Sequence, residues 1–480
     1  MWLLSSSPVL IAALALVVAL CLRRNARRPA NSFPTITSWI PFFGASFAFR
    51  HGPVRQLQAY TAAFGPVFNL TLLGRVVTYV TDAAFFPALM KCPALGLFPL
   101  KVRIYERVFG APPPPVHDPT LFEFLAKHTR HNVLGNLSGA SLAAWTAKSH
   151  ALFRASIHRD VSTTPTAVAV YPWLAPRVFA TLVETFYGPG ELTSVAFAAD
   201  YDQIEAKFAA LYAGAPASWI RVAAPRQRVL DTLRSHVRDH LAHVAPIVRE
   251  RWLFCHDKQV DQAAYQLAFL WAMTSNAMRT LFWVLYHLQQ TPEAWAAVAA
   301  QVQTHVQDTA AAHLHEALQH CDLLDSAIKE ALRVAFGNTV IRVAVDDAVV
   351  DLPDGSKLAV APGDEIMLTA GVAYHDPTTF SNPMAFEYDR FVRSPELAKE
   401  FRPFGIGKFN CPGMFFDFLG QYFAMDFLKA AMATLILETD ILDFQGTTTP
   451  NYTTAGVYAP KDSLAARMTI RLKAPKAVVA

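Results

Sequence analysis

The chain has 480 residues, of which 53% are hydrophobic and 17% charged, with a formal net charge of only +4. This balance excludes a disordered chain and provides no basic surplus for nucleic acid; it fits a large buried core with some membrane contact. The five cysteines are scattered and form no CxxC, which excludes a disulfide framework and fits a reducing compartment.

Residues 2–22, "WLLSSSPVLIAALALVVALCL", carry no charge. About 20 apolar residues in a helix cross a bilayer core of about 30 Å. Arg23, Arg24, Arg27 and Arg28 follow at once. The positive-inside rule then predicts a transmembrane anchor over 1–28 with the rest of the chain in the cytosol. A cleaved signal peptide is the alternative, but its charges would precede the apolar run. Pro29, Pro34 and Pro41 make 29–50 a stiff, proline-rich hinge, leaving 51–480 as the main domain.

Beyond the hinge, "GPVFNLTLLGRVVTYVTD" (Gly65 to Asp82) reads as a β-hairpin around Gly74. From about Phe85 to His320 the pattern is mostly helical, with loops at Gly110 to Pro119 and Phe186 to Ser194. Short strands return between Val343 and Ile366, with turns at Pro353-Asp354-Gly355 and Pro362-Gly363. Met414 to Leu437 is again helical, and Gly456 to Leu472 reads as a second hairpin. The fold class is mainly α with small β-sheets; the absence of βαβ alternation argues against a doubly wound sheet. The sixteen histidines form no metal-spaced cluster.

The stretch "FGIGKFNCPG", Phe404 to Gly413, sets one cysteine in a narrow frame. A zinc site would need a second Cys or His close by, and none is there. Gly407 and Gly413 permit backbone approach that a Cβ would block. Pro412 suits the first turn of a helix, so Cys411 stands at a helix N-terminus, where the dipole favours thiolate. Phe404 can cover the sulfur. A shielded, hydrogen-bonded thiolate is what an axial haem ligand requires.

Phe404, Gly407, Cys411 and Gly413 resemble the cysteine-ligand loop of the cytochrome P450 haem-thiolate monooxygenases. "EALR" holds Glu330 and Arg333 at i,i+3, and "FEYDRF" places Arg390 where that family completes a structural Glu–Arg–Arg cluster. Arg342, nine residues past Arg333, matches a family arginine that pairs with a haem propionate. The resemblance covers roughly residues 30 to 475 with its motifs in order. It implies the cytochrome P450 fold behind an N-terminal transmembrane helix, and haem b with Cys411 as the axial iron ligand.

Two departures stand out. Where the family carries a basic residue two positions before the cysteine, this chain has Phe409, so the propionates must lean on Arg342 and other cations. Lys148 in "WTAKSHALFR" is a candidate, with Trp145 beside it; packing and a solvated face are the plainer reading. In "LWAMTSNAMRTLFWVLYHLQQTP" the family's acid–alcohol pair falls on Ser275 and Asn276. Asn276 can hold a water but cannot act as a proton acid. For Met273 and Met278 apolar packing is the expectation, and Arg279 is an unusual residue to find there. The motif style resembles the branch containing cholesterol 7α-hydroxylase and prostacyclin synthase.

The resemblance implies hydroxylation or epoxidation of a lipophilic small molecule, such as a terpenoid, steroid or polyketide. Electrons would come from NADPH through cytochrome P450 reductase, with cytochrome b5 as a second partner and no nucleic acid. The pocket would be lined by Ala272 to Asn276, Gly337 to Ile341 and Ala455 to Tyr458. A single-pass anchor in the endoplasmic reticulum membrane is expected. The alternatives are a haem-thiolate isomerase or dehydratase that takes a peroxide or similar substrate without external electrons, and a haem carrier or sensor.

Overall fold

The computed structural model describes residues 30–36, 49, 52–72, 75–112, 118–337, 339–401, 403–404 and 423–474. The expected anchor, most of the hinge, and Gly407, Cys411 and Gly413 lie outside these residues. Among the described residues no helix is long and apolar enough to cross a membrane. The fold is mainly helical with small sheets, and it divides into two compact units.

The first unit runs to Lys101 and takes in Gly337–Thr379. Its elements are β1 (Thr35–Ile36), α1 (Pro53–Phe64), β2 (Val67–Leu72), β3 (Arg75–Val80), β4 (Leu95–Gly96), β5 (Thr339–Ala344) and β6 (Glu365–Thr369). One six-stranded sheet has the order β1-β2-β3-β6-β5-β4. β2 and β3 form the expected hairpin, with Leu72 opposite Arg75. Its β-branched and aromatic residues are buried, and α1 lays Leu57 across Phe68, Leu70, Val77 and Tyr79. Two of the hairpin's buried polar residues satisfy each other: the Thr78 hydroxyl donates to Asn69 Oδ1 at 2.8 Å.

β6 joins β3 in parallel, Val77 opposite Glu365, and β5 runs antiparallel to β6 with Arg342 opposite Ile366. β4 completes the sheet by pairing Gly96 with Val343. Residues 348–360 form a small hairpin that turns at Pro353-Asp354-Gly355. Gly355 adopts φ +83°, a conformation that costs glycine little.

The second unit holds Val102–Phe336 and the chain from Phe380 onward. Its principal helices are α2 (Gly139–Asp160), α3 (Val170–Tyr187), α4 (Val195–Ala206), α5 (Gln262–Gln289), α6 (Asp322–Ala335) and α7 (Phe423–Glu438). α2 packs on α3 and α7, and α5 packs on α3, α6 and α7. α5 is 28 residues long and apolar nearly all round, as a central helix should be. It spans about 42 Å. Asp261 caps its start by accepting from the Ala264 amide at 2.8 Å, and Thr291-Pro292 ends it.

The strand reading near the C-terminus is corrected here. Gly456–Leu472 is not a hairpin. Its strand Arg467–Leu472 pairs with Thr439–Gln445 on one side and Thr166–Ala169 on the other, and Ala459–Pro460 pairs with Pro450–Asn451. Alternation identifies a strand but not its partner, and here the partners lie further off in the chain.

Glu330 on α6 is fully buried and accepts from two arginines. Arg333 Nε and Nη2 reach its two oxygens at 2.8 Å each, and Arg390 Nε reaches one at 2.9 Å. Other guanidinium N–H groups reach backbone carbonyls, Arg333 at Pro383 (2.6 Å) and Ala385 (3.0 Å) and Arg390 at Ser381 (2.6 Å), and Arg390 Nη2 also pairs with Glu387 Oε1 at 3.3 Å. Removing one partner of such a buried group leaves uncompensated charge. We expect Glu330→Ala to destabilise the protein by ~3–5 kcal/mol, read as a lower urea midpoint. Lys329→Ala, one residue before Glu330, removes a partly exposed pair with Asp325 and should cost less than ~1 kcal/mol.

Candidate active site

The middle of α5 is asymmetric. Thr274, Ser275, Met278, Arg279 and Thr280 are buried, whereas Ala272 is exposed and Met273, Asn276 and Ala277 are half-buried. The second set recurs at i, i+1, i+4 and i+5, so it forms one open face on an otherwise enclosed helix. Asn276 is its polar residue.

Three side chains of α5, at 276, 279 and 283, dock the C-terminal loop Ala455 to Tyr458. The Val457 amide donates to Asn276 Oδ1 at 3.0 Å. Arg279 Nη1 donates to the carbonyls of Ala455 (2.7 Å) and Val457 (3.0 Å), and Trp283 Nε1 donates to that of Tyr458 (2.6 Å). The loop is also tied to the end of α6, where the Tyr458 amide donates to the Ala335 carbonyl at 2.9 Å and Phe336 bridges Val457. Gly456, at φ +74°, lies so close to Asn276 that a Cβ there would stand 2.3 Å from Oδ1. Because the Val457 N–H is a donor, the atom facing it must be the carboxamide oxygen. The Asn276 NH2 is therefore the end left for the open face.

Ser275 and Asn276, adjacent in sequence, point to different partners. Ser275 is fully buried and its hydroxyl donates to Glu205 Oε1 on α4. Arg279 Nη2 reaches the same carboxylate oxygen at 2.8 Å. Met278 is buried by packing.

Lys148 lies on α2, and its Nζ donates to the Thr185 carbonyl of α3 at 2.7 Å while lying 5.2 Å from the centre of the Trp145 ring. Burial lowers its pKa. Phe404 is half-buried. Two other cysteines, Cys255 and Cys321, have thiols pushed up to about 12 and about 11 by burial, so they stay protonated and make poor thiolate ligands.

Within the first unit, Arg342 is 1% exposed. It donates to the Ile341 carbonyl and to Met90 Sδ, both at 2.9 Å, and burial pushes its pKa down to about 10. Lys101 is lowered too, by burial first and then by the positive charge of Arg342. Arg342 is disfavoured as a cation by its burial, and Lys101 by burial and by Arg342, so the two offer N–H donors suited to an anionic group. This donor set fits the carboxylates of a haem. Lys101 was not singled out from the sequence; a lone lysine in "LFPLKVR" has no spacing that ties it to Arg342. Glu205 was missed for the same reason, since 74 residues separate it from Arg279.

The cytochrome P450 family model matches residues 259–461, which include α5, the Glu330 cluster and the cysteine loop. Over these residues the chain matches the cytochrome P450 superfamily, near its cholesterol 7-alpha-hydroxylase branch. Similar proteins include cytochrome P450 7B1 of Mus musculus, 25% identical over 90% of this chain and 89% of the relative. Cholesterol 7-alpha-monooxygenase of Cricetulus griseus is 26% identical over 85% and 88% of the two chains. 7-alpha-hydroxycholest-4-en-3-one 12-alpha-hydroxylase of Homo sapiens is 25% identical over the same shares, 85% and 88%. This chain is a P450 monooxygenase with a haem-thiolate cofactor.

If Arg342 and Lys101 balance haem carboxylates, Arg342→Gln and Lys101→Met should each raise the rate of haem transfer to apomyoglobin by about ten-fold. That corresponds to losing about 1.4 kcal/mol, close to the low end for a hydrogen bond to a charged group. Lys148→Met should leave the rate within about two-fold of wild type.

Proposed function

We propose that this P450 hydroxylates a steroid or sterol, drawing electrons from NADPH through a reductase, with its catalytic domain held at the endoplasmic reticulum membrane by the anchor at 1–28. The observation that carries the substrate class is the open face of α5. Its apolar residues Ala272, Met273 and Ala277 surround one carboxamide, Asn276. A rigid fused-ring lipid has broad apolar faces and few oxygens, which suits an apolar wall with a single polar group. The names of the relatives, sterol 7-alpha and 12-alpha hydroxylases among them, support the same class.

When bound, the haem with its cysteine thiolate, which we assign to Cys411, supplies oxygen activation. The chain's own residues position and shield. The docked loop 455–458 closes one side of the open face against water through its hydrogen bonds to α5. Asn276 cannot source a proton at neutral pH, but its NH2 can donate to a water or to a substrate oxygen and so fix where a proton is delivered. Ser275, turned to Glu205, serves this from behind by holding the helix face in place. Glu330, Arg333 and Arg390 fix the segment that leads to the cysteine loop.

The test is turnover with purified reductase and two probes, cholesterol and 7α-hydroxycholest-4-en-3-one. A hydroxylated product with matching NADPH consumption supports the proposal. Rearrangement of an organic peroxide without reductase, with no steroid product, sinks it. Asn276→Ala should keep haem binding and reduction. Its product-forming step should fall on the order of 10²-fold, with hydrogen peroxide formed per NADPH rising correspondingly. Deleting residues 2–28 should move the protein from the microsomal pellet at least partly into the supernatant; full retention would count against the anchor.

A further inference from the structure

Arg279 and Glu205 form a buried ion pair in the one part of α5 where the open face and the C-terminal loop meet. Side-chain exposure is 4% for Arg279 and 9% for Glu205. Burying such a pair costs several kcal/mol per ion before attraction returns it, so the pair does not stabilise by default. Its geometry is specific. Glu205 Oε1 accepts from both Ser275 and Arg279 Nη2, which turns the guanidinium so that Nη1 points at the loop. Nη1 then holds two carbonyls, Ala455 and Val457, that bracket Gly456. The peptide between them presents the Val457 N–H to Asn276 Oδ1 at 3.0 Å. A second contact joins the same two helices, where the Tyr201 hydroxyl meets Thr274 at 2.8 Å.

The consequence concerns Asn276. A carboxamide on an open helix face can turn over, exchanging a donor for an acceptor. Here the orientation is imposed by one backbone N–H, and that N–H is aimed by Arg279. We propose that Arg279 and Glu205 are positioning residues that lock the Asn276 carboxamide with its NH2 toward the substrate face, so that the site presents a donor and never an acceptor. The proposal rests on the reading of that face as substrate-facing, and its test does not use a substrate.

The experiment is hydrogen–deuterium exchange of the peptide covering 455–458 in the purified, full-length holoprotein. Asn276→Ala removes the acceptor of the Val457 amide, and exchange there should accelerate about five- to ten-fold. Asn276→Asp keeps an acceptor oxygen and should exchange at the wild-type rate. The double variant Glu205→Leu/Arg279→Met replaces the pair by apolar groups, a change that buried ion pairs often tolerate. It should accelerate exchange as much as Asn276→Ala does. Glu205→Gln, which keeps the amide oxygen and loses only the charge, should give a smaller effect of the same kind.

The combined triple variant decides between positioning and general support. If the pair acts through Asn276, the triple variant exchanges no faster than Asn276→Ala, because both changes break one contact. Multiplied effects would overturn the proposal, since they mean that the pair merely stiffens the loop. Wild-type exchange in the double variant would overturn it as well. Failure of wild-type protein to hydroxylate either steroid would remove the substrate assignment and leave the exchange result standing.

Discussion

Glu330 is the constraint on which the second unit depends. A carboxylate with no exposure lies between two arginines, one of which, Arg390, also pairs with Glu387 at 3.3 Å, so charge of both signs is carried into the interior. That charge is tolerable only if the spare guanidinium donors find acceptors, and they find them in the backbone of residues 381–385. An irregular segment is thereby held as firmly as a strand would be, through side chains instead of a ladder. Asn382 shows what this costs locally, since it adopts φ +46° while its carbonyl accepts from Arg390. The effect propagates along α6. Its last residues, Ala335 and Phe336, receive the loop 455–458, and the same loop is received by α5. Cluster, helix, loop and open face form one mechanical sequence.

The same device appears twice. Loop 455–458 has little regular pairing of its own, so its carbonyls and amides need partners. α5 supplies them from positions 276, 279 and 283, which lie on one side of the helix. A long helix that is apolar nearly all round can thus carry polar side chains at 276, 279 and 283, each of which finds a backbone partner from elsewhere. This also explains why an arginine can stand in the centre of α5.

What the sequence disclosed and what it hid follow from range. Elements whose signal is local were legible: the hairpin of β2 and β3, the turn at Gly355, the helical pattern leading up to Pro292, and that of α7. Spacings that lie within one element were legible too, such as Glu330 with Arg333. Contacts set by topology were not. No pattern in residues 456–472 reveals that the strand there pairs with 439–445, because period-2 alternation is satisfied by either partner. Lys101 and Glu205 are ordinary charged residues in ordinary surroundings until folding sets them beside Arg342 and Arg279. Arg279 itself was visible as odd, and only its partner gives the oddity a meaning.

Several of the buried arginines differ in what meets their charge. Arg333 and Arg390 share Glu330, and Arg279 has Glu205, so in each case the chain provides its own counter-charge. Arg342 meets a carbonyl oxygen and a sulfur, and its charge bears on a lysine that burial has already weakened as a base. Burying like charges together is unfavourable for folding, whereas a pair with its own counter-charge is a place where the chain holds itself. Arg279, despite its place at the centre of α5, is of the second kind, because Glu205 on the neighbouring helix meets its charge at 2.8 Å.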